Sequence, residues 1–254
     1  MTEFLPVSST GHLILAAHLL RLRGEAVNTF TVVIQAGALC AVPGLYRSRV
    51  RSIWRGLFGR DAEGRRLLVN LSASFLPAAA IGWMLHRPIK AWLFRPWPVV
   101  AALAVGGIVM VGLDRWIRSR HRPAGQTLES LTVRDAIIIG CAQCLSLWPG
   151  SSRAMVTMVA GILVGLPASA AAEYSFLLAL PTLGAATLFD AMAGGRALME
   201  AVGLPSVVLG LVTAAVVAAL AIRGFLRSLT RWGLEPFGWY RLGLAAAVWW
   251  VARS

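Results

Sequence analysis

The sequence predicts an all-α protein that crosses a membrane several times, on the basis of its composition and the length of its apolar runs. Of its 254 residues, 57% are hydrophobic and only 14% are charged, and the mean hydropathy is +0.70. A water-soluble domain of this length needs more polar surface to cover its core. The apolar runs are also much longer than the strands of a membrane barrel, so the membrane segments are expected to be helices.

Six apolar stretches of 15 to 21 residues are candidates to cross a bilayer as helices, for which roughly 17 to 25 residues are needed. They are 29–46, 67–86, 97–116, 173–193, 203–222 and 237–251. Two further apolar stretches, 1–20 and 135–166, are interrupted by proline and serines. Polar, irregular backbone at membrane depth is tolerated only inside protein or beside water. We therefore expect both stretches to form re-entrant helical hairpins.

The basic residues predict the orientation. The net charge is +13, but the arginines lie in short clusters between apolar runs, which is typical of membrane helices and argues against a nucleic-acid partner. Fifteen Lys and Arg residues fall on the side of the 47–66 loop and seven on the other side. This excess places the 47–66 loop in the cytoplasm.

Cys141 and Cys144 form a C-x-x-C without a second pair or nearby histidines, so we interpret them as small membrane-helix residues.

The two interrupted stretches resemble each other. EFLPVSSTGHLI, from residue 3, aligns with SLWPGSSRAMVT, from residue 146, and the alignment pairs Ser8 with Ser151. Three predicted spans follow each hairpin, and an odd number inverts the second half relative to the first. The sequence therefore predicts one membrane domain built from inverted repeats, roughly 1–120 and 135–254. Broken helices in such repeats meet near the midplane and bind anions through free N–H groups at their N-termini.

Arg153 is the strongest candidate for binding an anion. An arginine inside an apolar segment is costly, so an anionic partner is expected. Its planar guanidinium suits a phosphate or carboxylate in bidentate contact. The alternative is a structural salt bridge with Glu3 or Glu173.

The hydroxyl groups beside Arg153 and in the first hairpin are candidate phosphate ligands. Ser151 and Ser152 precede the arginine, and Thr157 follows four residues later on the same helix face. Ser8 and Thr10 are the corresponding polar groups of the first hairpin, expected to line a cavity shared by both halves. Serines that only cap a broken helix are the alternative.

Glu3, Ser9 and His12 are the candidate reactive groups. Glu3 is a carboxylate among apolar residues that can hold a divalent cation, Mg²⁺ or Ca²⁺, or act as a base; the alternative is a carboxylate exposed to solvent. His12 follows Ser9 by three residues, so the two side chains can be neighbours on a helix and form an activated nucleophile. A histidine with a purely structural role is the alternative.

With these residues in place, the chain resembles the undecaprenyl-diphosphate phosphatase family of the bacitracin-resistance type. TEFLPVSSTGHLIL (2–15) and WPGSSRAMVTMVAGILVGL (148–166) resemble its two signatures, and CAQCLSLWPG, YSFLLALP and the arginine-bearing last span also match. The resemblance covers essentially the whole chain.

The resemblance implies a multi-pass enzyme of the bacterial inner membrane whose site opens to the outer face. Such an enzyme removes the terminal phosphate of undecaprenyl diphosphate and so supplies the carrier lipid for peptidoglycan synthesis. By this resemblance, Glu3 is a catalytic or metal-binding glutamate, Ser9 and His12 lie at the reaction centre, and Arg153 binds phosphate. Ser152 and Thr157 match accessory phosphate contacts.

The chain departs from the family pattern at two places. The family usually carries another glutamate four residues before the one matched by Glu3, and that position precedes Met1, so the first hairpin is expected to lack its first arm here. Ala154 stands where the family tends to have serine, which is expected to weaken one phosphate contact.

Two other functions compete with the phosphatase. Inverted repeats with broken helices are transporter architecture, so a flippase for prenyl phosphates could bind the same groups without hydrolysis. A phosphatidate-type lipid phosphatase would carry a histidine six residues after the arginine, and Val159 occupies that position. The oligomeric state is not predicted.

Overall fold

The computed structural model describes residues 2–19, 25–93, 96–119 and 126–253; within these ranges it does not describe the side chains of residues 14, 17–19, 25–34, 86–91, 96, 190 and 193–202. Regular structure in the described ranges is helical throughout. The ten α-helices are α1 (Ser9–Leu19), α2 (Glu25–Leu45), α3 (Arg47–Leu57), α4 (Ala62–Leu93), α5 (Pro96–Ser119), α6 (Val133–Gln143), α7 (Arg153–Leu163), α8 (Ala168–Val202), α9 (Leu204–Trp232) and α10 (Glu235–Val251). Short 3₁₀ turns cover Leu128–Ser130 and Cys144–Leu147.

Four helices are long and apolar enough to cross a membrane within the described residues. These segments are Ala62–Leu85, Trp97–Ser119, Ala168–Phe189 and Leu204–Trp232. They confirm the prediction of an all-α, multi-pass membrane protein. The predicted spans 29–46 and 237–251 coincide with α2 and α10, but α10 has 17 residues and the first ten side chains of α2 lie outside the described set. The number six therefore stays a prediction.

The two interrupted stretches form short helices, as their proline and serines predict. In the second stretch, α6 and α7 have 11 residues each and flank an irregular segment at 144–152. At 1.5 Å per residue each helix is about 16 Å long, roughly half the hydrocarbon thickness of a bilayer. In the first stretch, the irregular segment 2–8 leads directly into α1. Met1 and Leu20, the ends of the predicted first hairpin, lie outside the described residues.

The prediction that 47–66 is only a loop was wrong, because residues Arg47–Leu57 form α3. Its arginines obscure an apolar repeat at Val50, Ile53, Trp54 and Leu57, which has helical spacing. Val50 and Ile53 pack against the main hydrophobic core, whereas Trp54 is 64% exposed. The helix is therefore amphipathic and lies beside the bundle.

The loop between α3 and α4 is fixed by one carboxylate. Asp61 accepts hydrogen bonds from the Gly64 amide (2.9 Å) and the Ser52 hydroxyl (2.8 Å). The Gly64 amide, followed by the Ser52 hydroxyl, holds the pKa of Asp61 below its usual value. Asp61 thus caps the N-terminus of α4.

The main core surrounds α7 and the first half of α8. Phe176 on α8 packs edge-on against Phe4, with 5.7 Å between ring centroids, and against Phe225 of α9, at 6.0 Å. Around this centre α5 packs on α10, α2 on α8 and α9, and α4 on α6. The irregular segments 2–8 and 144–152 thereby pack against the bundle, with Leu145 and Trp148 exposed at its surface.

Candidate active site

The irregular segment before α7 is held by its own hydrogen bonds. The Ser151 hydroxyl donates to the carbonyl oxygens of Leu145 (2.9 Å) and Trp148 (2.7 Å). Gly150 has φ +98°, and a Cβ there would lie 2.7 Å from the Val99 carbonyl oxygen, so only glycine fits. This turn brings Ser152 to the start of α7.

The turns before α1 and α7 have the same local structure. Ser8 (φ 70°) and Ser152 (φ 67°) are the two non-glycine residues with positive φ in the described chain. The Ser8 hydroxyl accepts from the Gly11 amide at 3.4 Å, and the Ser152 hydroxyl accepts from the Met155 amide at 3.3 Å. Each serine therefore caps the helix that follows it. The structural correspondence pairs Ser8 with Ser152, one residue away from the sequence alignment that paired Ser8 with Ser151.

One buried arginine joins the two turns. Arg241 of α10 is 0% exposed, and its guanidinium donates to the carbonyl oxygens of Pro6 (3.1 Å) and Gly150 (2.8 Å). It also donates to the carbonyl oxygens of Ala102 (3.0 Å) and Leu103 (3.4 Å) on α5. A second link is the Ser152 hydroxyl, which donates to the Leu5 carbonyl oxygen at 3.4 Å. The hairpin tips are therefore tied to each other and to the bundle.

The two turns line one cavity of about 880 Å³. Six of the predicted site residues line it: Glu3, Ser8, Ser9, Thr10, Ser152 and Arg153. The N-terminal residues of α1 and α7 are among them, so the positive dipole ends of both helices face this space. The geometry thus brings together polar groups that lie about 140 residues apart in the sequence.

Arg153 lines the cavity, and its guanidinium is only partly hydrogen-bonded within the protein. Its Nη1 donates to the Ser175 carbonyl oxygen at 2.8 Å, while the buried Nη2 has no hydrogen-bond partner. Glu3 interacts favourably with its charge, but the pair is not among the ion pairs of the described residues. Glu173, the other proposed partner, pairs with Arg49 at 2.8 Å. A buried unpaired donor costs about 1–3 kcal/mol, which an anion in the cavity would offset.

Two predicted phosphate ligands do not line the cavity. Thr157 is 0% exposed, and its hydroxyl donates to the Arg153 carbonyl oxygen (2.8 Å) and pairs with the Ser175 hydroxyl (2.7 Å). Ser151 is 8% exposed, and its hydroxyl is directed into its own turn. Each hydroxyl is engaged by backbone carbonyl oxygens in this structure, and contact of these two residues with phosphate stays a prediction. Their contacts fix the segments on either side of Arg153.

The predicted pair of Ser9 and His12 is also not formed. His12 Nδ1 donates to the Ser8 carbonyl oxygen at 2.7 Å, one helical turn back. Its Nε2 lies 2.7 Å from the Tyr240 hydroxyl, and the two rings stack with 5.6 Å between centroids. Both ring nitrogens are therefore occupied, and His12 does not activate Ser9 here. Ser9 itself lines the cavity.

Two further polar residues of this region, Gln143 and Arg241, are not among the predicted site residues. Gln143 lines the cavity, is 1% exposed, and its Oε1 is buried without a partner, while its Nε2 donates weakly to the Ser74 carbonyl oxygen at 3.4 Å. Both residues are polar groups inside apolar segments, which is the signal that could have found them.

Comparisons with known proteins identify the family of the chain. Residues 1–247 match the family described as "Bacitracin resistance protein BacA". A protein of Sorangium cellulosum named undecaprenyl-diphosphatase is 51% identical over 99% of this chain and 82% of its own length. Proteins with the same name from Nitrosomonas europaea (42% identical; 100% of this chain, 91% of theirs) and Solidesulfovibrio magneticus (45% identical; 97% and 92%) also align. The chain belongs to the bacitracin resistance protein BacA family.

Proposed function

We propose that the protein is an undecaprenyl-diphosphatase of the bacterial inner membrane. It hydrolyses undecaprenyl diphosphate with one water to give undecaprenyl phosphate and inorganic phosphate. The observation that carries the proposal is the unpartnered Nη2 of Arg153 in a cavity lined by two helix N-termini. The names of the relatives, which align over nearly the whole chain, support the same activity.

The cavity suits a diphosphate because its donors come from three directions. Arg153 Nη2 can donate to a phosphoryl oxygen, and the helix starts at Ser9 and Arg153 present backbone N–H groups. The Thr10 hydroxyl also lines the cavity and forms no hydrogen bond within the described residues. Preorganised donors of this kind stabilise the charge that develops on the transferred phosphoryl group.

A divalent cation, Mg²⁺ or Ca²⁺, is proposed at Glu3. The described residues contain no cluster of three or more acidic, histidine or cysteine side chains that could form a complete protein site. Mg²⁺ is, however, commonly bound by one or two carboxylates together with substrate phosphates. Glu3 and the unpartnered Gln143 Oε1 are oxygen donors on the same cavity and fit that pattern. When bound, the cation would neutralise phosphoryl oxygens and lower the pKa of a coordinated water.

The attacking group is Ser9 or a water molecule. Ser9 lines the cavity, but His12 is turned away from it towards Ser8 and Tyr240. No base among the described residues is hydrogen-bonded to Ser9. We therefore favour water as the nucleophile, with Ser9 as a hydrogen-bond donor to the phosphate.

We further propose the inverted repeat, with halves at roughly 1–120 and 135–254. The matching caps at Ser8 and Ser152 support it. The helix packing supports it too, because α2 packs on α9 as α8 packs on α4, and the last helices of the halves, α5 and α10, pack on each other.

The site is proposed to open towards the outer face of the membrane. The excess of basic residues places the α3–α4 loop in the cytoplasm. The cavity-lining residues of α4 lie between Phe75 and Met84, and those of α8 lie between Thr182 and Phe189, in the far halves of these spans. Several of the counted basic residues, such as Arg21, Arg23 and Arg95, lie outside the described residues.

Phosphate release from undecaprenyl diphosphate by the purified protein in detergent tests the activity. We expect inorganic phosphate and undecaprenyl phosphate in equal amounts. The Arg227→Gln variant, which changes an exposed arginine of α9, should match the wild type. Substrate binding without release of phosphate would instead favour the alternative, a transporter of prenyl phosphates.

A further inference from the structure

The cavity continues from its polar end into an apolar groove between α4 and α8. On α4 the lining residues Phe75, Ala78, Ala79 and Gly82 have the spacing i, i+3, i+4 and i+7, which places them on one face of the helix. The facing part of α8, 182–189, contributes a second row. The groove is thus a property of two packed helices, separate from the hairpin tips that hold the charged and hydroxyl groups.

Small side chains keep the groove open. Ala78, Ala79 and Gly82 line the α4 side, and Ala185 and Ala186 line the α8 side. A Cβ at Gly82 would already lie 3.3 Å from Leu147 Cδ2, so the second hairpin closes the groove on that flank. Larger residues at these positions would occupy the space.

The groove opens sideways at the surface of the bundle. Trp83 is 86% exposed, Met84 is 73% exposed and Phe189 is 69% exposed, and all three line the cavity. They lie in segments long and apolar enough to cross the membrane. These exposed apolar side chains lie at the ends of their spans, so we expect the mouth of the groove to open towards the lipid.

We propose that this groove binds the first isoprenoid units of a prenyl diphosphate, with the rest of the chain leaving between Trp83 and Phe189 into the bilayer. The inference rests on the proposed function and specifies where the chain of that substrate lies. An amphiphile matches a cavity with a charged end at Arg153 and an apolar end between two spans. The volume of about 880 Å³ is in the range of pockets that enclose drug-sized ligands, so only the proximal part of a long chain fits.

The groove mainly aligns the prenyl chain of the substrate. A chain that moves from lipid into an apolar groove gains little hydrophobic free energy, because lipid tails are equally apolar. What the groove supplies is a fixed direction for the chain, which places the terminal phosphorus opposite Arg153. A misplacement of about 1 Å can lower turnover by about a hundredfold.

A variant in which a larger side chain fills the groove tests the proposal. The Ala79→Phe variant should lower kcat/KM for undecaprenyl diphosphate by about ten- to a hundredfold. The matched control is Ala80→Phe, the same change at an exposed neighbour on α4 that does not line the cavity, and it should match the wild type. If both variants are as active as the wild type, the groove proposal is overturned, whereas the proposed phosphatase activity stands. Absence of phosphate release from the wild type would instead contradict the proposed function.

Photolabelling tests the same proposal without turnover, and also covers the case in which Ala79→Phe does not fold. The probe is a farnesyl diphosphate analogue with a methylene group in place of the bridging oxygen and a diazirine on its first isoprenoid unit. We expect crosslinks within 75–84 or 182–189 that undecaprenyl diphosphate suppresses. Crosslinks confined to other helices, or crosslinks that undecaprenyl diphosphate does not suppress, would overturn the proposal.

Discussion

At the scale of single residues, the polar groups of the two interrupted segments divide into those that face the cavity and those that hold the backbone. Arg153, Ser9 and Thr10 face the cavity, whereas Ser151 and Thr157 donate to carbonyl oxygens beside it. Hydroxyl groups near a broken helix often satisfy backbone groups in this way. The polar motifs therefore include residues that support the backbone as well as residues that line the cavity.

The role of Ser9 can be measured by removing its hydroxyl. Because no base contacts Ser9 in the described structure, we expect Ser9→Ala to lose one hydrogen bond to phosphate, about tenfold in kcat/KM. Phosphate release by Ser9→Ala and Thr10→Val, measured side by side, gives the comparison. A loss of more than a thousandfold in Ser9→Ala alone, with a phosphoserine trapped in the wild type, would establish Ser9 as the nucleophile instead.

The residue types of the site could be predicted from the sequence, but their orientations could not. Polar residues in apolar segments identify Glu3, Ser9 and Arg153 without knowledge of the fold. The direction of the His12 ring depends on Tyr240, which is 228 residues away. Long-range partners of this kind follow from helix packing, which residue spacing along the chain does not encode.

At the scale of elements, the site depends on two turns that Arg241 of α10 ties together. Gly106 of α5 makes room for this contact, since a Cβ there would overlap the Arg241 guanidinium. Arg241 donates to four backbone carbonyl oxygens and has no acidic partner in the described chain. Its desolvation is therefore offset by neutral acceptors, and removing it takes a donor away from the Pro6 and Gly150 carbonyls, which lie outside helices.

We expect Arg241→Met to lower both the stability and the activity of the protein strongly. The loss of four charge-assisted hydrogen bonds should destabilise the fold by at least about 3 kcal/mol and lower phosphate release with it. Arg241→Lys retains a charge but cannot reach three segments at once, so it should recover more of the thermal stability than of the activity. Melting temperature and kcat/KM of both variants provide the test. Wild-type activity in Arg241→Met would show that the turns do not need this link.

The contribution of the loop between α3 and α4 to the stability of the protein should decrease at acid pH. The pKa of Asp61 is lowered in the folded protein by Gly64 and Ser52, so its contribution to stability is present above the ordinary aspartate pKa of about 3.9 and is lost as the pH falls through the lower folded value. Melting curves of the wild type and Asp61→Asn between pH 7 and about pH 3 should therefore converge at the acid end. A constant difference across this range would contradict the assignment.

At the scale of the whole molecule, composition was sufficient for the fold class but not for every boundary. Long apolar runs predicted the four membrane-crossing helices, since the bilayer sets their length. The amphipathic α3 was missed because its arginines outweigh its apolar face in a hydropathy average. The repeat register was displaced by one residue because sequence identity favours the alignment that pairs Pro6 with Pro149 and Ser8 with Ser151, whereas the positive φ values pair Ser8 with Ser152.

The orientation predicts which loops a membrane-impermeant thiol reagent reaches. In a variant without the three native cysteines, Arg253→Cys at the end of α10 should be labelled in intact spheroplasts. Arg60→Cys in the α3–α4 loop should be labelled only after the membrane is permeabilised. The reverse pattern would place the cavity on the cytoplasmic side.

The most direct test of the account is the kinetics of Arg153→Lys on undecaprenyl diphosphate. Lysine keeps the charge but lacks the second nitrogen that is free for the substrate, because its single ammonium can replace only one of the two guanidinium contacts. We expect kcat/KM to fall by about 10²- to 10³-fold at an unchanged melting temperature. Turnover close to that of the wild type would contradict the claim that the free Arg153 nitrogen binds the phosphate.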